Sequence, residues 1–334
     1  MHPALRILNI PTAPRHEDLV AAFVCDWLNR LGIDFCEDHH GNIVAEYRSG
    51  RRKEAIAFSV HMDHPGFEVL AMQKELLHCR FLGGVPRSYF KPGVPVTFFN
   101  AGGCRTCEAE IVRIAEWKPE MKIVLLRAKR GQALPKQFGM WKLPAMRWDR
   151  KRNRIVARAC DDLAGCAAVL AMLESLRKRR RACHVYAIFT RREEIGLCGA
   201  LELAKSGRLP KSIPIISIET SKMFDHAPQG EGPIVRVGDR SSIFDPVLTK
   251  QLCAIAHQLK ETHALPFQRK LMDGGTCEAT AFLDAGYAAS GLCVALGNYH
   301  NCSEHDRIAS ENIHFGDWQA LVKLMAATAV ENIV

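Results

Sequence analysis

The chain has 334 residues, 48% of them hydrophobic and 24% charged, with a formal net charge of +9. That length allows about two domains and a sizeable core, and the composition excludes a disordered polypeptide. No run approaches the ~20 apolar residues of a membrane span, and the opening MHPALRILNIPTAPRHEDLV lacks a secretory signal pattern, so a soluble cytoplasmic protein with no membrane partner is expected.

In chain order, residues 15–31 place Leu19, Val20, Phe23, Val24, Trp27, Leu28 and Leu31 on one helical face. A strand over Asn42–Tyr47 follows the turn residues Gly41 and Asn42. After the basic run Arg51-Arg52-Lys53, Ala55–Val60 (AIAFSV) is an almost continuous apolar run, as in a strand buried on both faces. The texture then changes. From about residue 70 to 154 only short β-like segments occur, at Pro95–Asn100, Glu108–Ile114 and Lys122–Arg127, broken by Gly, Pro and charge. This predicts a small β domain inserted into a domain made of residues 1–69 and 155–334. Cys104 and Cys107 form a CxxC without the second pair a structural zinc site needs, and the thirteen dispersed cysteines read as reduced thiols.

Helical patterns return at Leu163–Leu176, Pro246–Thr262, Glu278–Ala285 and Asp317–Val330, between strand-like runs at Val185–Phe189, Ile213–Ile218 and Leu292–Leu296. Such alternation predicts an α/β domain of three layers. The basic runs Arg147–Arg154 and Arg177–Arg181 read as solvated faces and a helix end, where cations complement the dipole. Without interleaved aromatics or a recognition motif they predict no nucleic-acid partner.

Chemistry-bearing residues fall at the ends of the apolar strands. Ala55–Val60 leads into His61-Met62-Asp63, Val185–Phe189 into Thr190-Arg191-Arg192-Glu193-Glu194, and Ile213–Ile218 into Glu219. In open α/β sheets the ligand crevice lies outside the carboxyl ends of the strands. Singly, each has an ordinary explanation: a surface His, a solvated Glu pair, or, for Asp161-Asp162, a helix cap. Glu219 enters a poorly hydrated region and needs a partner or a cation. Together the residues suit two divalent ions, which need a bridging carboxylate, His and carboxylate ligands, and a further carboxylate to take a proton from water. Successive residues of an extended segment face opposite ways, so Glu193 and Glu194 can serve as one base and one ligand. Asp63 can orient the His61 imidazole.

The segments GNIVAEY, HMDHPGF, FGMWKLP before RIVARACDDLAG, TRREEIGLCGA, the GGT of MDGGTCEA, and NYHNCSE occur in one order over nearly the whole chain. In that order they resemble the zinc-exopeptidase clan, and within it the family of glutamyl, deblocking and tetrahedral aminopeptidases that includes proteins once called cellulase M. The resemblance implies a three-layer α/β/α catalytic domain with an inserted β-barrel-like domain, and a metal-dependent aminopeptidase that trims short peptides. It implies that His61 binds one ion with Asp63 in support, and that Asp161 bridges both ions, with Asp162 following in a strained turn. It further implies that Glu193 is the general base, Glu219 completes the first ion's shell, and Glu194 and His300 hold the second. Zinc or cobalt suits this mixed shell. Assembly into a homo-oligomer, often a dodecamer built from dimers, is also implied. Position 219 is Glu where the family more often has Asp, and His64 and Cys277 stand where acidic residues are common, which leaves substrate preference open. A carboxypeptidase or N-acyl amino acid deacylase of the same clan is the nearest alternative, although its insertion usually carries helices and comes later. A non-catalytic basic binding protein would have no reason to keep all six metal-type residues.

Overall fold

The fold comes from a computed structural model that describes residues 1–51 and 54–331; Arg52 and Lys53 of the first basic run lie outside the described residues. Helix α1 (Asp18–Leu31) buries Val20, Val24, Trp27 and Leu28 along the expected face, and ends where Gly32 adopts a left-handed φ of 58° that returns its N–H to the last turn. Strands β1 (Asp34–Glu37) and β2 (Ile43–Ser49) pair antiparallel and precede β3 (Ile56–His61), which is buried along its whole length.

The chain then leaves the main sheet. Strands β4 (Gly66–Gln73), β5 (Leu76–Leu82), β6 (Pro95–Phe99), β7 (Arg105–Lys118), β8 (Met121–Gly131) and β9 (Phe138–Trp141) close into a barrel in the order β4-β5-β8-β7-β6-β9. Closure removes the free edges that short strands would expose. Three register shifts between β7 and β8 bend that pair around the barrel. Its interior is aromatic: Phe67 meets Trp141 edge-on at 4.9 Å between ring centres, and Phe81 meets Phe90 at 4.7 Å.

Strands β10 (Arg147–Asp149) and β11 (Arg154–Ala157) bring the chain back to the large sheet. There follow α2 (Leu163–Arg179), β12 (Cys183–Thr190), α3 (Cys198–Lys205), β13 (Ile215–Lys222), β14 (Ile234–Gly238), α4 (Pro246–His263), β15 (Gln268–Leu271), α5 (Glu278–Asp284) and β16 (Ala289–Gly297). A small hairpin of β17 (Cys302–Ser303) and β18 (Arg307–Ile308), then β19 (Glu311–His314) and α6 (Phe315–Val330), complete the chain. The sheet runs β1-β2-β12-β3-β13-β16-β19-β11-β10, with β14 and β15 branching from β16 and the central β12, β3, β13 and β16 parallel.

Helices cover both faces. Phe58, Val60, Phe189 and Val294 face a core shared with α1, α2, α4 and α6, while Ala57, Ile188 and Ala289 face α3 and α5. Neighbouring residues of one strand therefore enter different cores, which is why these strands read as unbroken apolar runs. Strand β13 extends to Lys222, so Glu219 lies inside it rather than after it, as the apolar run had suggested. The run Arg177–Arg181 is solvent-exposed at the end of α2, all thirteen cysteines are free, and no helix among the described residues is long and apolar enough to cross a membrane.

Candidate active site

Side chains distant in sequence meet at the carboxyl ends of the central parallel strands. His61 closes β3, Glu219 lies near the end of β13, Glu193 and Glu194 occupy the loop after β12, Asp161 precedes α2, and His300 sits in the turn after β16 with a φ of 53°. His61 Nε2 lies 3.4 Å from Asp161 Oδ1, 3.8 Å from Glu193 Oε2 and 4.0 Å from Glu219 Oε2. On the other side, His300 Nε2 lies 3.4 Å from Asp161 Oδ2 and 3.1 Å from Glu194 Oε1. Asp161 thus turns one oxygen toward each imidazole, and of the glutamate pair Glu193 approaches His61 and Glu194 approaches His300.

The second nitrogen of each imidazole is also held. His61 Nδ1 is 3.1 Å from the Asp63 backbone oxygen and 3.5 Å from its Oδ1, and His300 Nδ1 is 2.8 Å from the Gly84 carbonyl, which the barrel supplies. Asp63 has a larger task than orienting His61. Its two carboxylate oxygens accept the backbone N–H groups of Glu193 and Glu194 at 2.9 and 3.0 Å.

The electrostatics of this group are strained by its own charges. Burial holds Glu193 well above the ordinary carboxylate range, with Glu194, Glu219 and Asp63 adding to it and His61 opposing. Burial pushes Glu219 up to about 8, against the pull of His61 and Arg236. Burial also disfavours the charged forms of His61 and His300, but the surrounding carboxylates outweigh it and hold both well above their usual range. Asp161 shows the converse: burial acts upward, yet the two imidazoles keep it below the usual range. Asp162 Oδ2 is buried without a hydrogen bond, and Glu194 Oε1 is buried against the His300 imidazole. Donor atoms of Asp161, Glu194 and His300 all lie within 4.8 Å of one another, as do those of His61, Asp162 and Glu219, and those of His61, Glu193 and Glu194. Crowded carboxylates with unpaired oxygens beside imidazoles fit divalent cations, which relieve the repulsion that otherwise forces some of them to protonate.

His64 is buried beside this group, its Nδ1 2.7 Å from the Asp161 carbonyl and its Nε2 3.1 Å from Asn301 Oδ1; His305 is exposed and stands apart. Three buried carboxylates that the sequence reading passed over frame the site. Glu17 Oε1 accepts the N–H groups of Arg15 and Arg192, both at 3.0 Å. Glu311 Oε2 accepts those of Cys160 at 2.6 Å and Asp161 at 3.1 Å. Glu278 accepts the hydroxyls of Ser59, at 2.6 Å, and Thr190. Glu17 and Glu278 stand at helix starts, where an acid reads as a favourable dipole partner and nothing more. Beside His61, Asp161, Glu193 and His300, a pocket is walled by Thr220, Lys222, Arg236, Met272, Cys277 and Tyr299, among others.

The sequence profile of the M42 glutamyl aminopeptidase family matches residues 135–324, more than half of the chain. The chain belongs to this family. It is a metal-dependent aminopeptidase, a hydrolase of peptide bonds. A curated Acetivibrio thermocellus protein provisionally named an aminopeptidase is 27% identical over 263 residues, 76% of this chain and 77% of that relative. Among solved structures, the TET1 peptidase of Pyrococcus horikoshii superposes with a TM-score of 0.81 at 22% identity, covering 98% of this chain and 99% of its own. An aminopeptidase of Desulfurococcus kamchatkensis gives the same TM-score at 19% identity, covering 98% and 94%. At these identities the superpositions speak for the fold. The α/β sheet and its closed barrel are those of the family's tetrahedral aminopeptidases.

Proposed function

We propose that the cleft hydrolyses the N-terminal bond of short peptides, with His61, Asp161 and Glu219 holding one divalent cation, Asp161, Glu194 and His300 a second, and Glu193 acting as general base. The observation that supports this best is the Asp161 carboxylate, whose oxygens lie 3.4 Å from each of the two imidazoles. Asp162 is less suited to a bridge, because its Oδ1 caps α2 by accepting the Gly165 N–H at 3.2 Å. When bound, such cations acidify a water, polarise the scissile carbonyl and receive the free amine of the substrate.

The chain's own groups do the rest. Glu193 takes a proton from the attacking water as the water oxygen bonds the carbonyl carbon, and returns it to the leaving nitrogen as the C–N bond breaks. Asp63 keeps Glu193 facing His61 and Glu194 facing His300 by holding both backbone N–H groups. Glu193→Gln should lower kcat by about 10²–10⁴ with metal content by elemental analysis unchanged; activity within twofold of the parent would refute the assignment. Free-amine peptides should be cleaved and N-acylated ones spared, which separates this reading from a deacylase, and cleavage from the C-terminal end would mark a carboxypeptidase.

The mixed imidazole and carboxylate shell suits zinc or cobalt. We read the barrel as a domain inserted into the catalytic domain, and the whole as a cytoplasmic enzyme. The Pyrococcus horikoshii TET1 peptidase is described as assembling into a tetrahedron or a large octahedral shell, and a homo-oligomer, such as a dodecamer built from dimers, is the corresponding reading for this chain, to be checked by light scattering.

A further inference from the structure

Tyr299 lines the cleft beside His300, and the roles given so far leave its hydroxyl without a task. Its ring stacks on the His300 imidazole, with ring centres 3.7 Å apart and planes 25° from parallel. A phenylalanine would pack there equally well. The oxygen is therefore the unexplained part of the residue. It reaches the wall of the same cavity that His61, Asp161 and Glu193 line, 3.3 Å from where a Cβ on Gly275 would stand, and it makes no hydrogen bond among the described residues.

The chemistry of the cleft lacks what this group offers. Adding water to a carbonyl places negative charge on the carbonyl oxygen, and a donor aimed at that oxygen stabilises the transition state more than the ground state. The side chains that crowd the reacting centre from Asp161, Glu193 and Glu219 are acceptors. Of the other polar walls, the Thr220 hydroxyl already donates to Asp161 Oδ1 at 3.2 Å. The Arg236 guanidinium gives one N–H to the Met272 carbonyl at 3.4 Å and keeps a buried, unpaired Nε, but no contact among the described residues joins it to either imidazole. Lys222 lines the pocket as a solvent-exposed side chain, its Nζ 5.7 Å from the centre of the Phe224 ring. Tyr299 is the donor left uncommitted next to an imidazole of the centre.

We propose that Tyr299 is a catalytic residue, its hydroxyl donating a hydrogen bond to the scissile carbonyl oxygen as water adds to the carbon. It transfers no proton: the bond strengthens while the oxygen carries charge and weakens as the carbonyl re-forms and the C–N bond breaks. The inference rests on the reading of Glu193 as the base in the same cleft.

Tyr299→Phe keeps the stacked ring and removes only the hydroxyl. With the parent enzyme's best aminoacyl p-nitroanilide as substrate, kcat should fall about 10²-fold, as when one oxyanion donor is lost, with KM within threefold and metal content unchanged. A dipeptide phosphinate, which mimics the tetrahedral adduct, should lose affinity by a similar factor, while the free amino acid product binds as before. Parent-like kcat and phosphinate affinity in Tyr299→Phe would overturn the assignment, as would a fall in metal content that matches the fall in kcat and reduces the residue to a support for His300. Glu193→Gln, measured alongside, tells the two failures apart: inactive, it leaves the general-base reading standing without Tyr299, whereas an active Glu193→Gln removes both.

Discussion

Three consecutive backbone N–H groups, from Arg192, Glu193 and Glu194, end on two buried carboxylates, Glu17 and Asp63. Ionised acceptors make strong hydrogen bonds to such groups, so the loop that carries the proposed base is fixed by charge from below rather than by secondary structure. For Glu17 the arrangement is costly. Burial and the nearby Asp63 charge push it up to about 7, with the Arg15 N–H and Arg191 pulling the other way. The stability associated with a raised acid is present below the unfolded value of about 4.3 and is lost as pH rises through the folded one. Glu17→Gln keeps an acceptor for the Arg192 N–H but carries no charge. Its Tm relative to the parent should therefore climb between pH 4.5 and 7 and stay level above that; a difference that does not change with pH would show that Glu17 does not titrate in the fold as described.

At the scale of elements, the barrel reaches into the site through one loop. The Gly84 carbonyl faces His300 Nδ1, and Lys122 of β8 donates to the Gly83 carbonyl beside it at 2.5 Å. A ring fixed at one nitrogen is a better-oriented ligand at the other. Lys122→Ala should weaken binding of one cation about tenfold and leave the other unchanged, read as a split in a two-site metal titration; equal weakening of both would contradict the division of ligands. Strands of the central sheet were legible because they feed two helix-covered cores, so Ala55–Val60, Val185–Phe189 and Leu292–Leu296 carry apolar residues at nearly every step, Ser59 being the exception. Barrel strands β4, β5 and β9 were not, since a small barrel has one interior and its strands do not run apolar: β5 alternates around His78 and Arg80, and β9 is only the four residues FGMW. The candidate site was legible for the same reason as the sheet, because His61, Glu193, Glu194 and Glu219 follow or end apolar runs. Glu17, Glu278 and Glu311 act on groups far away in the chain, 88 residues or more except for the Arg15 N–H, and no local pattern announces such partners. Tyr299 stood within a quoted motif, but only the stacking and the open wall of the cavity distinguish it.

For the whole molecule, the decisive fact is that the two imidazoles are steadied by different bodies. His61 leans on Asp63 at the end of a sheet strand, and His300 on a carbonyl from the barrel. The sheet packs on one large core and a second, smaller one, whereas the barrel has a single core about the size of that second one, and smaller cores bury less and yield first. Gentle heating should then release the His300 half of the centre while the sheet is still native, so that the midpoint of thermal inactivation precedes the calorimetric unfolding midpoint, and added metal shifts the first more than the second. Coincident midpoints that move together would mean that barrel and sheet melt as one. In such a molecule the safeguard against heat is placed unevenly: the catalyst should fall silent at its weaker hinge while the sheet is still intact, and cooling should restore it once the barrel alone has re-formed.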